Sequence, residues 1–338
     1  MEKKTISVGV IGAGGMGTRH ATNIHRMTGG AKIGGVYDID TARATKLAES
    51  VGAQVFSDPL TMINDPAIDA VVICSPDDTH ASLAVACIKA GKPVLSEKPL
   101  ATKVEDAAKV VEAEAATGKR LVSVGFMRRF DPQHVAVHEA VLSGELGKPL
   151  LWKGVHRNAQ QAYGVTGATI LTNSAGHDFD SARFQLGEEI EEVHVRGLLS
   201  RSELHPDTRD MLLISLYMSN NTMGTAEVYV NAEYGYEVSA EVVCQKGTAV
   251  TLQPDKGLIR AKSHRGHYVS ADWLSPFTEA YVAEDIDWVE SMSDGRLFNG
   301  ASAWDGYVTM VVTAAAIESL NTGKVVPVKL MEKPAIYK

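Results

Sequence analysis

The six residues Gly12-Ala13-Gly14-Gly15-Met16-Gly17 restrict this chain more than any other feature. They follow the β-branched apolar run Ile6–Ile11 and open a stretch of helical composition reaching about Met27. In a strand-to-helix turn of this spacing the first glycine permits the tight bend. The second lets a pyrophosphate approach the backbone, and the third lets helix and strand pack closely. The N–H groups left free at the helix start suit phosphate oxygens. Residues 32–37 read as the next strand, ending at Asp38. A carboxylate there accepts hydrogen bonds from both hydroxyls of an adenosine ribose and repels a 2′-phosphate. No basic residue stands beside it: Ile39 and Asp40 follow, and Arg43 reads as a solvated helix residue. The expectation is NAD in preference to NADP, with Gly12, Gly14, Gly15, Met16, Gly17 and Asp38 as cofactor contacts. The plain alternative is a glycine-rich turn with no ligand.

The alternation continues. Residues 41–51 show a helical face formed by Ala44, Leu47, Ala48 and Val51, and 70–74 form a strand hydrophobic throughout, as a strand covered on both faces requires. Residues 79–89, 94–96, 104–116 and 121–125 extend the pattern, which implies parallel crossovers and a doubly wound α/β sheet. Beyond Arg128 the pattern changes. A helix over 132–142 and a strand over 151–155 precede strand-like runs at 193–199, 212–217, 224–230, 237–243 and 248–252. Asn220-Asn221 and Lys246-Gly247 mark turns, so consecutive strands should pair antiparallel. Helices over 278–292 and 303–320 close an α+β domain on an open sheet. The domains expected are 1–125 and 126–338, since 338 residues exceed a single comfortable core.

The net charge of −8 offers no footprint for nucleic acid or an anionic membrane, and neither partner is expected. Cys74, Cys87 and Cys244 are scattered, match no zinc spacing and suit a reducing compartment, so no metal is assigned. Met1-Glu2-Lys3-Lys4 precedes only a short apolar run, too short for a signal-peptide core or a span. A cytoplasmic location is expected.

Glu97-Lys98-Pro99 follows the strand 94–96 at the carboxyl edge, where ligands of such sheets bind. The Lys98 ammonium can stabilise developing alkoxide charge there, and Glu97 can orient the lysine or the cofactor ribose. Their plain reading is a surface turn before a proline. Ser75, Pro76 and His80 follow the strand 70–74 and suit a loop beside the nicotinamide, while Asp77 and Asp78 equally suit capping of the next helix. His177 is the candidate general base, because histidine is the residue type whose ordinary titration near neutrality suits proton removal from an alcohol; its plain reading is a satisfied core histidine. Asn173 lies four residues earlier and shares its face if the segment is helical. It reads equally as the N-cap of a helix reaching Phe184 and as a substrate contact. Trp304 to Tyr307 opens a helix and reads as core.

The glycine fingerprint, Glu97-Lys98-Pro99, and His177 with Asp178 and Asp180 together resemble the glucose–fructose oxidoreductase and inositol dehydrogenase (Gfo/Idh/MocA) superfamily. Val124-Gly125-Phe126-Met127-Arg128-Arg129, His156-Arg157-Asn158, Tyr229-Val230-Asn231, Tyr234-Gly235-Tyr236, Asp272-Trp273 and Ala303-Trp304-Asp305-Gly306-Tyr307 are similar to its bacterial inositol dehydrogenases. The resemblance implies a Rossmann domain, a domain with a large, mostly antiparallel sheet, homotetramers, and hydride transfer to NAD from a ring hydroxyl of a cyclic polyol. It implies that Lys98 contacts the reacting hydroxyl and His177 takes its proton. Met127, Arg128, His156, Asn158, Asn173, Tyr236 and Trp273 would line the polyol site or its edge. One departure stands out: the better-known inositol dehydrogenases carry aspartate where this chain has Asn173. An amide orients a histidine without adding charge, which puts stereoisomer preference and pH optimum in question. Two other readings are a dehydrogenase of another cyclic polyol or sugar, and a catalytically silent NAD-binding sensor.

Overall fold

The computed structural model describes residues 5–160, 166–201, 203–205, 208–252, 259–261, 263–266 and 269–338. The lysine-bearing residues 1–4 lie outside the described residues. The chain forms two compact units.

The first unit comprises Met1–Met127, Ala280–Met310 and Leu330–Lys338. Its strands are β1 (Ile6–Ile11), β2 (Ala31–Tyr37), β3 (Gln54–Val55), β4 (Ala70–Ile73), β5 (Val94–Glu97) and β6 (Val122–Gly125). All are parallel, in the order β3-β2-β1-β4-β5-β6, and Ala301–Ser302 adds an antiparallel edge beside β6. Every residue of β1, β4, β5 and β6 is buried, and in β4 this double covering shows as an unbroken apolar run, Ala70–Ile73. The crossovers are α1 (Gly15–Met27), α2 (Thr41–Val51), α3 (Pro59–Asn64), α4 (His80–Lys89) and α5 (Val104–Thr117). Asp40 caps α2 by accepting from the Ala42 and Arg43 N–H groups, and Gly52 ends it at φ 68°. Ile24, Ala44 and Leu47 bury their helix faces against Val8, Val10, Val36 and Val72 of the sheet. Each such valine, leucine or isoleucine side chain contributes about 1.5–3 kcal/mol by leaving water.

The second unit comprises Arg128–Glu279 and Val311–Lys329. It contains α6 (Pro132–Leu142), β7 (Pro149–Arg157), α7 (Gly167–Ile170), α8 (Gly176–Leu186), β8 (Ile190–Leu198), β9 (Met211–Met218), β10 (Met223–Tyr229), β11 (Glu237–Cys244) and β12 (Thr248–Val250). The sheet order is β12-β11-β7-β10-β9-β8, completed by Val326–Pro327. The antiparallel expectation holds for β8 with β9, β9 with β10, and β11 with β12. It fails between β10 and β11. The earlier strand β7 lies between them, parallel to β10 and antiparallel to β11. Helix α8 packs on β7, where the Trp152 indole N–H donates to Gln185 Oε1 at 2.7 Å. On the other face Leu213, Tyr217 and Met223 are exposed.

The closing helices are α9 (Thr278–Asp294) and α10 (Ala303–Thr322). Residues 280–310 and the last nine return to the first unit, whereas a single cut after Gly125 assigns them all to the second domain. Trp288 and Val289 of α9 belong to the hydrophobic core around β1. Trp304 and Tyr307 are buried, as their core reading requires. No helix among the described residues is long and apolar enough to cross a membrane.

Candidate active site

The glycine turn has the spatial logic its spacing implies. A Cβ on Gly12, whose φ is +95°, would lie 2.5 Å from the Cys74 carbonyl oxygen, and one on Gly17 would lie 1.7 Å from the Gly12 oxygen. Neither position can take a side chain. A Cβ on Gly14 or Gly15 would meet nothing within 4 Å, so the start of α1 is open on the side where a pyrophosphate would approach. Asp38, at the end of β2, accepts the Ala13 N–H at 2.6 Å through one oxygen and the Asp40 N–H at 2.8 Å through the other. The carboxylate thus braces the turn and keeps lone pairs for ribose hydroxyls. The residues present fit a dinucleotide.

Two loops at the carboxyl edge are tied together by His80. Its Nδ1 faces the Pro99 carbonyl at 2.7 Å and its Nε2 the Ser75 carbonyl at 2.8 Å. The ring is buried and both nitrogens are engaged with backbone, so in this structure it holds the Ser75-Pro76 loop to the Lys98-Pro99 turn. Ser75 Oγ pairs with Thr79 Oγ1 at 2.6 Å. The capping expected of Asp77 and Asp78 is not realised: they form a 3₁₀ turn, and α4 starts without a side-chain cap. Lys98 is half-buried, and its peptide bond to Pro99 is cis. Glu97 is buried; one oxygen accepts the Lys98 N–H at 3.1 Å and the other lies 3.2 Å from His20 Nε2. Burial pushes the Glu97 carboxyl up, but the His20 hydrogen bond and charge outweigh it and hold it below the usual carboxylate range.

In the second unit, His177 stands in the first turn of α8 and is buried. The helical run starts at α7, where Thr166 and Thr169 form a capping box. It passes through a π-helical turn, Leu171–Ala175, and ends at Gly187 with φ 67°. Asn173 lies inside that π turn, exposed, so it is not a helix cap; the cap is seven residues upstream. Single π turns inside helices recur at functional sites. Here the turn shifts the phase between Asn173 and His177, which an apolar period cannot reveal.

Arg128 and Arg129 brace α8. Arg128 donates to Asp178 at 2.7 Å, and Arg129 makes a two-point contact with Asp180 at 2.7 and 3.0 Å. His156 Nδ1 lies 3.0 Å from the second Asp178 oxygen and 3.2 Å from Arg128 Nη2. An Nδ1–H donating to Asp178 satisfies both partners, and the Arg128 contact is then charge proximity only. Burial raises the Asp178 carboxyl, yet Arg128 and then His156 hold it below its ordinary range. The Tyr236 ring stands edge-on to His156, with centroids 5.8 Å apart, and burial pushes its phenol up to about 12. Arg128, His156 and Tyr236 therefore form one buried cluster around Asp178, the residue that follows His177 in α8. Asn158 follows β7 and is half-buried; Trp273 is 48% exposed, outside that cluster. Met127 closes the first unit and is buried. Sequence reasoning did not assign roles to Asp178, Asp180, His20 or Asp285; the only signal was Arg128-Arg129 together with the alternating acids Asp178 and Asp180. Among the described residues no group of three or more His, Cys, Asp or Glu is arranged to hold a metal ion.

Fold and glycine turn together define a two-unit, dinucleotide-binding oxidoreductase. Residues 6–126 match the oxidoreductase family with an NAD-binding Rossmann fold, and 134–250 match the GFO/IDH/MocA C-terminal domain. The chain is 44% identical over 337 residues to an inositol 2-dehydrogenase of Rubrobacter xylanophilus, covering 100% of this chain and 97% of that one. Myo-inositol dehydrogenase of Lactobacillus casei, solved with NAD(H) and myo-inositol, superposes with a TM-score of 0.94 at 29% identity, covering 99% and 100% of the two chains. Scyllo-inositol dehydrogenase of the same organism, with NAD(H) and scyllo-inositol, gives 0.87 at 26% identity, covering 96% and 99%. The chain belongs to the Gfo/Idh/MocA oxidoreductase family.

Proposed function

We propose that this protein is an NAD-dependent inositol dehydrogenase that oxidises a ring hydroxyl of myo- or scyllo-inositol to the inosose. The observation that carries the reading is the 44% identity to an inositol 2-dehydrogenase over the whole chain, substrate unit included. NAD, when bound, accepts the hydride from the carbinol carbon. Gly12 and Gly17 close the turn, Gly14 and Gly15 leave room for its pyrophosphate beside Met16, and Asp38 selects its ribose. Ser75, Pro76, His80 and Glu97 shape the edge where the nicotinamide would lie. Lys98 stabilises the hydroxyl oxygen as its bond to hydrogen weakens, which favours the transition state over the bound alcohol. His177 takes the hydroxyl proton as general base. Met127, Arg128, His156, Asn158, Asn173, Tyr236 and Trp273 line or support the polyol site; the buried ones act by orienting the rest. The exposed apolar face of the second sheet suits a homotetramer, and three free cysteines suit the cytoplasm.

Asn173, exposed in the π turn beside His177, favours a stereoisomer preference that differs from enzymes with aspartate there. Incubation with NAD and each inositol tests the proposal: one inosose should form per NADH. Absence of ketone from both isomers would refute it.

A further inference from the structure

Behind Lys98, the first unit buries a row of ionisable side chains, of which the reaction above gives a task to Glu97 but none to His20 or Asp285. Asp285 of α9 is 0% exposed, His20 of α1 is 0% exposed, and Glu97 at the end of β5 is 8% exposed. Asp285 Oδ1 lies 2.7 Å from His20 Nδ1, and Glu97 Oε1 lies 3.2 Å from His20 Nε2. Asn23 Nδ2 donates to the other Asp285 oxygen at 2.9 Å, and the other Glu97 oxygen accepts the Lys98 N–H at 3.1 Å. Contacts thus run without a gap from Asn23 to the backbone of Lys98.

A neutral imidazole offers one N–H and can serve one carboxylate; only the imidazolium serves both. Burial lowers the His20 pKa, but the Asp285 charge outweighs it and the ring titrates well above its ordinary value. The other groups facing the cluster are the Cys74 thiol after β4, pushed up to about 12 chiefly by burial, the Glu284 carboxyl of α9, and the Lys98 ammonium. Tyr281 stands edge-on to His20 at 6.1 Å, with Arg19 over its ring. Two fixed carboxylates on opposite sides of one cation make a rigid strut, and only one of its ends touches a residue with a chemical role.

We propose that Asp285 and His20 are positioning residues: they fix the Glu97 carboxylate, which holds the Lys98 backbone and so sets where the Lys98 ammonium stands. The inference rests on the reading of Lys98 as the residue that contacts the reacting hydroxyl. A plain buried ion pair would affect stability alone.

The test compares wild type with Asp285→Asn, His20→Gln, the double variant and Lys98→Ala. Turnover with inositol, NAD affinity and melting temperature are each followed from neutral to alkaline pH. Asp285→Asn removes the charge that keeps His20 protonated, so its ring should lose the proton at lower pH than in wild type. Its turnover should fall at least about tenfold with NAD affinity retained, and fall further as pH rises. His20→Gln keeps a donor toward Glu97 but cannot titrate. Turnover should be reduced with a flat profile, and the double variant should lose the pH dependence of Asp285→Asn. Wild-type turnover and profile in Asp285→Asn, with only a lower melting temperature, overturn the proposal while Lys98→Ala remains inactive. If Asp285→Asn does not fold, wild-type turnover in His20→Gln overturns it equally. Near-normal turnover in Lys98→Ala overturns the proposal and the functional reading together.

Discussion

The Arg128 guanidinium donates to the Asp178 carboxylate at 2.7 Å, and Asp178 is the residue immediately after His177. Arg128 therefore spends its charge inside the protein, on the helix that carries the proposed base. Arg129 does the same one turn position on, through Asp180. The two pairs fix α8 rather than reaching for a polyol.

Asp178→Asn should destabilise the protein by about 3–5 kcal/mol at neutral pH, because it leaves a buried guanidinium without its counter-charge. The Asp178 carboxyl titrates below its unfolded value of about 3.9, so its contribution is complete above that pH. It is lost as pH falls through the lower folded value. Urea titrations should thus show the gap between wild type and variant closing in acid. A gap that is small at neutral pH would show that the pair does not hold the helix.

Asp38→Ala should narrow the preference for NAD over NADP, measured as the ratio of kcat/KM values. Its carboxylate also accepts the Ala13 N–H, so NAD binding should weaken as well. An unchanged ratio would remove Asp38 from cofactor selection.

Much of the first unit was legible because one chemical demand, a sheet covered on both faces, writes continuous apolar runs such as Ala70–Ile73. The glycine spacing was equally readable, since backbone atoms forbid a Cβ at Gly12 and Gly17. Long-range pairing was not legible. His20 and Asp285 lie 265 residues apart, and nothing local marks either as the other's partner. The insertion of β7 between β10 and β11 is likewise a property of the assembled sheet. The π turn at Asn173 escaped because its apolar pattern over a few residues is that of an α-helix. Arg128 reads as a ligand-binding cation until Asp178 is found beside it.

Asn173→Asp should move the acidic limb of kcat/KM upward. The base must be neutral to accept a proton, and a nearby carboxylate raises the histidine pKa. Wild-type activity should therefore persist to lower pH than that of the variant. The exchange of an amide for an acceptor-only group should also shift the ratio of myo- to scyllo-inositol oxidation. If limb and ratio both stay in place, Asn173 acts on neither.

The exposed Leu213, Tyr217 and Met223 on the open sheet face should be covered in solution. Light scattering at micromolar concentration should give a tetramer, and Leu213→Lys should shift it toward smaller species. A wild-type monomer would contradict the proposed assembly.

The most direct measurement is kcat/KM for NAD reduction with myo-, scyllo- and chiro-inositol, glucose and xylose under one set of conditions. Myo- or scyllo-inositol should be the best substrate, by about tenfold or more over either sugar, a gap of about 1.4 kcal/mol in transition-state binding. A faster reaction with glucose or xylose, or no NADH from any inositol, would contradict the account.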